Sequence, residues 1–180
     1  MQPRLIVIRG NSGSGKSSIV AAIRQVYGRG IAWIEQDYVR RIIFKELDEP
    51  DGANIQAIGQ LARHALDRGY HAVVEGIMPR ARYGEMLAQL RAAYDGPSYF
   101  YYLDIPFDET VRRHASRAKA SEFSGDDMAE WYQPQDLLGE PRETVIDQHS
   151  SLETTVTRIL TETGLTRMAR PSQSRPATDG

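Results

Sequence analysis

Residues 5–20 read LIVIRGNSGSGKSSIV, and this stretch decides the fold. An apolar run ends in three glycines, Gly10, Gly13 and Gly15, with a lysine and two serines behind them. Leu5–Arg9 is nearly continuous apolar sequence, as a strand covered on both faces should be. Ile19, Ile23 and Val26 then recur at helical spacing before Gly28. GNSGSGKS, residues 10–17, therefore fits GxxxxGKS/T between a strand and a helix, the context that makes the pattern a phosphate-binding loop. Each residue type has its physical reason. Wrapping backbone N–H groups round a phosphate needs tight or left-handed turns, which glycine enters at least steric cost. The helix starting near Lys16 turns its partial positive end on the same phosphate. Lys16 adds a full charge, and the Ser17 hydroxyl is placed to ligate Mg²⁺. Asn11, Ser12, Ser14 and Ser18 complete the nucleotide-binding candidates with Gly10, Gly13, Gly15, Lys16 and Ser17.

The same two periodicities alternate along the chain. Further strands are expected at Ile31–Glu35, Ala72–Glu75, Tyr99–Asp104 and Thr144–Ile146. Helical stripes fall between them: Val39, Ile42, Ile43 and Leu47 before Pro50; Ile55, Ile58, Ala62, Ala65 and Leu66 before Gly69; Met86, Leu87, Leu90 and Tyr94 before the DGP turn. Ser150 and Glu153 have capping-box spacing, with Leu152, Val156, Ile159 and Leu160 behind them and Gly164 as the stop. Strand–helix alternation of this kind predicts a parallel sheet with helices on both faces, right-handed crossovers, and ligands beyond the carboxyl ends of the strands.

The residues just after each strand are therefore the ones to weigh. Glu35 and Asp37 follow the second strand; a carboxylate there can take a proton from an attacking hydroxyl or hold Mg²⁺ through water. Asp37 also stands where a helix cap would. Arg40 and Arg41 sit at the start of the following helix, where the dipole disfavours cations; an anion, a polar substrate or a salt bridge would account for them. After the third strand, Glu75 is placed to orient Mg²⁺ or to touch substrate, Gly76 lets the chain turn, and Arg80 and Arg82 lie near the mouth of the crevice. After the fourth, Pro106 and Asp108 open a helix that carries Arg113 and Arg117 on one face. A long polar stretch then runs to the last strand, as a lid would, and its Trp131 and Tyr132 are candidates to cover a substrate.

Composition narrows the classes. The 180 residues are expected to form one domain over residues 1–169, with a lid at about 113–140 and a disordered Pro/Ser-rich tail at 170–180. There is no cysteine, so disulfides and thiolate metal sites are excluded. The histidines, His64, His71, His114 and His149, show no metal-ligand spacing. A net charge of -2 and a pI near 6.1 argue against a nucleic-acid partner. No apolar run approaches the roughly 18 residues of a membrane span, and the opening apolar run is shorter than the roughly 7–15 residues of a signal peptide core. A cytoplasmic protein without membrane contact, monomeric or homodimeric, is expected.

The phosphate-binding loop, the acidic pair Glu35 and Asp37, and the arginine-bearing helix after the fourth strand together resemble the small P-loop kinases. That group contains shikimate and gluconate kinases, chloramphenicol phosphotransferase and zeta-type toxin kinases. The resemblance runs from about Leu5 to Leu165. It implies a P-loop NTPase three-layer sandwich with a five-stranded parallel sheet of order 2-3-1-4-5. It implies ATP and Mg²⁺, and a small-molecule acceptor that takes the γ-phosphoryl group on a hydroxyl. By the same resemblance Asp37 binds or deprotonates the acceptor hydroxyl, Arg113 stacks on adenine and Arg117 contacts the phosphates; with Lys16 of the loop motif, Asp37 and Arg117 are the catalytic candidates. By their places after the strands, Asp37, Arg40, Arg41, Glu75 and Arg80 are the candidates to face the acceptor. Ser17, with Glu35 acting through water, serves the metal. The alternatives are a nucleotide-hydrolysing ATPase and a toxin kinase acting on a UDP-sugar. The sequence lacks the NKxD tetrapeptide of Ras-type GTPases, and the acidic pI disfavours a polynucleotide kinase.

Overall fold

A computed structural model of the chain describes residues 1–115 and 125–165. Arg117, the middle of the expected lid and the tail from residue 170 lie outside the described residues. The strands are β1 (Leu5–Gly10), β2 (Ile31–Glu35), β3 (His71–Gly76), β4 (Ser98–Asp104) and β5 (Thr144–Asp147). They form one sheet of order β2-β3-β1-β4-β5, with every pair parallel. The helices are α1 (Lys16–Tyr27), α2 (Gln36–Tyr38), α3 (Ala53–Asp67), α4 (Arg80–Ala92), α5 (Phe107–Ala115), α6 (Gly125–Trp131) and α7 (Leu152–Thr163). A π-helical segment, Val39–Phe44, continues α2.

The pleat of β1 explains the layering, because successive side chains leave a strand on opposite faces. Leu5 and Val7 enter one core with Ile58 and Ala62 of α3 and Leu87 of α4. Ile6 and Ile8 enter the other with Ile19 and Ile23 of α1 and Ile159 of α7. All four β1 residues are fully buried, and burying a side chain of this size stabilises by roughly 1.5–3 kcal/mol. The expected stripe of α3 is buried throughout, whereas Val26 of α1 is exposed.

Two local expectations change. The stripe Val39–Leu47 does not pack as an amphipathic helix: the wider π turn leaves Ile42, Ile43, Phe44 and Leu47 exposed and only Val39 in the core. The cap of α7 is Ser151, whose Oγ accepts from the Thr154 N–H at 3.1 Å, so the cap sits one residue later than the Ser150–Glu153 spacing suggests. Ser150 instead pairs with the Thr155 hydroxyl. No helix among the described residues is long and apolar enough to cross a membrane.

Candidate active site

The loop after β1 takes the shape that its glycines allow. Gly10, Gly13 and Gly15 have φ of 147°, 75° and 110°. Two of them also meet close neighbours: a Cβ on Gly10 would lie 2.8 Å from the Leu103 carbonyl oxygen, and one on Gly13 2.5 Å from that of Thr110. The loop is therefore seated against β4 and α5 as well as turned tightly. Lys16, nearly buried, bends back so that Nζ donates to the carbonyls of Gly10 and Asn11 at 2.9 and 2.8 Å.

Parallel pairing puts Glu35 of β2 level with Glu75 of β3 at the carboxyl edge of the sheet. Glu75 is buried, and its Oε1 accepts the Ser17 hydroxyl at 2.7 Å. A hydroxyl and a carboxylate meeting beside a phosphate loop are the hard oxygen donors that Mg²⁺ prefers. Among the described residues no group of three or more acidic or histidine side chains could hold a metal. This suits an ion that takes one or two protein oxygens and completes its shell with nucleotide and water.

A cleft of about 770 Å³ opens beyond this edge. Ser12, Gly13, Gly15, Lys16 and Ser17 of the phosphate loop line it together with Asp37, Arg40, Arg41 and Arg82, and Glu35 and Glu75 lie on its lining as well. The basic pair at the helix start has its anion in Asp37, which accepts from Arg40 Nη2 at 2.8 Å and Arg41 Nη1 at 3.2 Å.

Not every candidate reaches the cleft. Arg80 is exposed and does not line it; its backbone N–H is bonded to Asp136, and Arg82, two residues further on, lines the wall instead. Ser18 is exposed on α1. Asn11 turns its side chain to the chain after α6, exchanging hydrogen bonds with the backbone of Gln133 at 2.8 and 2.9 Å. Ser14 is buried with its hydroxyl toward Lys16. Arg113 does not line the cleft; its guanidinium donates to the carbonyls of Ser14 and Gln148 and to Glu109. The side-chain hydrogen bonds from Arg112 and Arg113 hold the Glu109 carboxyl down at about 2. Trp131 lines the cleft, but Tyr132 turns away, donating to the Ile105 carbonyl and meeting Phe107 edge-on.

The site also has parts that the sequence did not announce. Gly76 is needed for space: a Cβ there would lie 2.5 Å from that of Gln36. Gln36 is buried and donates to the Tyr83 hydroxyl at 2.9 Å. That hydroxyl meets Asp48 Oδ1 at 2.8 Å and Asn54 Oδ1 at 2.9 Å, and burial pushes its pKa up. The result is a fixed Asp48–Arg82 pair in the lining of the cleft. Asp48 lies in a polar loop with no motif, so no sequence signal pointed to it. Glu130 and Asp127 of α6 also line the cleft.

A sequence profile for the family described as an AAA domain matches residues 5–141. The chain belongs to this family. No curated protein matches the sequence. Among solved structures, a gluconokinase from Sinorhizobium meliloti 1021 is 24% identical, with 91% of this chain and 92% of that one covered and a TM-score of 0.61. The APS kinase of Mycobacterium tuberculosis, solved with AMPPNP and APS, is 18% identical over 91% of this chain and 98% of that one, with a TM-score of 0.65. The tunicamycin resistance protein of Deinococcus radiodurans is 18% identical over 95% of this chain and 100% of that one, with a TM-score of 0.64. The AAA-domain chain thus has the fold of the small P-loop kinases, with the sheet order that the resemblance implied.

Proposed function

We propose that this AAA-domain protein is a small-molecule kinase that transfers the γ-phosphoryl group of ATP to a substrate hydroxyl. One observation carries the reading. The phosphate loop, with Ser17 on Glu75, opens into the same cleft as Asp37 and its two arginines. A site built only to hydrolyse ATP needs room for water alone, whereas this cleft also presents fixed acidic and basic groups to a second molecule.

The loop amides and the start of α1 hold the phosphates of ATP, and Lys16 sets its charge on the β/γ oxygens. Ser17 and Glu75 would hold Mg²⁺, directly or through water, and the ion would supply charge neutralisation to the phosphates. Asp37 accepts the hydrogen bond of the acceptor hydroxyl and aims its oxygen in line with the γ-phosphorus. The new bond joins that oxygen to phosphorus, the bridging P–O bond breaks, ADP leaves, and the hydroxyl proton passes to Asp37. Arg113 is bonded to the phosphate loop at the Ser14 carbonyl, and Arg117 is assigned to the transferring phosphoryl group by the family resemblance. Protein groups make no covalent bond here, so positioning and electrostatics supply the rate. The protein works without nucleic acid or membrane, in the cytoplasm, as a monomer or homodimer.

The test is a panel of nucleosides, sugars, UDP-sugars and hydroxylated antibiotics incubated with Mg·ATP. The expected result is one acceptor class that gains the mass of one phosphoryl group while ADP appears in equal amount. ADP and free phosphate with every acceptor unchanged would contradict the proposal and favour an ATPase.

A further inference from the structure

Arg9 is a charged residue in the middle of the sheet, and the reaction does not use it. It precedes the first glycine of the phosphate loop and is wholly buried. All three guanidinium nitrogens are engaged. Nε donates to the Met78 carbonyl at 2.9 Å, in the loop between β3 and α4. Nη1 donates to the Asp136 carbonyl at 3.0 Å and to Glu143, and Nη2 to the Asp136 carboxylate at 2.8 Å. The same Asp136 oxygen accepts the backbone N–H of Arg80, the first residue of α4, at 2.8 Å.

These bonds gather three stretches far apart in sequence. Each is continuous with a wall of the cleft: the phosphate loop, Ile77 and Pro79 on the acceptor side, and Gln133 after α6. Two non-glycine residues with left-handed backbone, Met78 at φ 43° and Gln135 at φ 51°, lie in the two stretches that Arg9 holds. A left-handed conformation without glycine persists where its surroundings fix it. Tyr102 closes the arrangement, its hydroxyl accepting from the Asp136 N–H at 3.2 Å and donating to the Gln133 carbonyl at 3.3 Å.

We infer that Arg9 and Asp136 are positioning residues: the buried Arg9 guanidinium, paired with the half-buried Asp136 and the buried Glu143, sets the acceptor-side loop and the chain after α6 in a single fixed relation to the phosphate loop. A guanidinium is suited to this because its planar fork bonds several acceptors at once, which an ammonium cannot reproduce. Burial alone would call for an apolar residue here, since a buried ion pair is weak evidence for stability. The inference rests on the cleft being the kinase site proposed above.

Three backbone amides report on the clamp, because side chains rather than strands or helices hold them: Arg80 on Asp136, Asp136 on Tyr102, and Leu138 on Glu143. The experiment compares wild type with Arg9→Lys by amide hydrogen exchange, by calorimetric titration with Mg·AMPPNP, and by phosphoryl transfer from Mg·ATP, per titrated site, to the acceptor that the panel identifies. In Arg9→Lys the three amides should lose protection together, about tenfold or more, while Val7 and Val74 keep theirs. Turnover per site should fall about tenfold or more, since small misplacements of cleft groups have large effects on rate. Mg·AMPPNP affinity should stay within about threefold, because the phosphate loop is intact. Wild-type turnover per site in folded Arg9→Lys, or lost protection in only one of the two stretches, would overturn the inference. If Arg9→Lys does not fold, Tyr102→Phe removes one hydroxyl of the clamp and should move both stretches and turnover by about threefold; no change in either overturns it. Failure of wild type to bind Mg·AMPPNP would defeat the kinase reading instead, and the amide arm would still decide whether the two stretches move as one.

Discussion

At the scale of single residues, the phosphate loop was open to reading because its chemistry is local. Gly10, Gly13 and Gly15 adopt the left-handed φ values that the motif requires, and Lys16 lies inside the curve of the loop. Lys16→Ala should lower Mg·ATP turnover by about 10²–10³, equivalent to roughly 2.7–4 kcal/mol of lost transition-state stabilisation. Because the lysine contacts loop carbonyls and not either apolar core, the melting temperature should stay close to wild type; steady-state kinetics and a thermal melt check both points. Arg9 and Gly76 could not be read in the same way. Arg9 looked like the polar end of a strand, and its partners Asp136 and Glu143 lie more than a hundred residues on, in a stretch without periodicity. Gly76 looked like a turn glycine, yet what it provides is room for Gln36, a neighbour brought in by strand pairing.

Among the elements, periodicity served wherever one face is buried. The stripe Ile55, Ile58, Ala62, Ala65 and Leu66 is the buried face of α3, and Ile58 is fully buried in the core that α3 shares with β3 and α4. Ile58→Ala should therefore cost about 2–5 kcal/mol in unfolding free energy, measured by urea denaturation, with the spread set by how far the site can collapse. The same rule misled at Val39–Leu47. There the apolar residues recur at helical spacing, but the backbone opens into a π turn that presents Arg40 to the cleft and leaves Ile42 and Ile43 outside. Hydrophobic spacing cannot distinguish an α turn from a π turn, and π turns gather at functional sites. The α7 cap missed by one residue for a simpler reason: Ser150 and Ser151 are both good caps, and only backbone geometry chooses between them.

On the scale of the whole molecule, strand–helix alternation predicted a parallel sheet with helices on both faces, and the order β2-β3-β1-β4-β5 was accessible only through the resemblance to the small P-loop kinases. The proposed acceptor wall was only half accessible. Asp37, Arg40 and Arg41 follow β2 directly, but Asp48, Arg82 and Tyr83 come together only when the loop before α3 folds over α4. On the proposed function, the arrangement as a unit would hold a second molecule against bound ATP, and Asp37 would be the residue that separates transfer from hydrolysis. The direct test compares wild type and Asp37→Asn with Mg·ATP and the acceptor identified by the panel, following acceptor phosphorylation, background hydrolysis and calorimetric ATP affinity together. The account predicts a fall in acceptor phosphorylation of about 10²-fold or more, the usual scale for a positioned acid–base group, with ATP affinity within a few-fold and hydrolysis little changed. Unchanged acceptor phosphorylation, or an equal loss of transfer, hydrolysis and ATP binding, would contradict it.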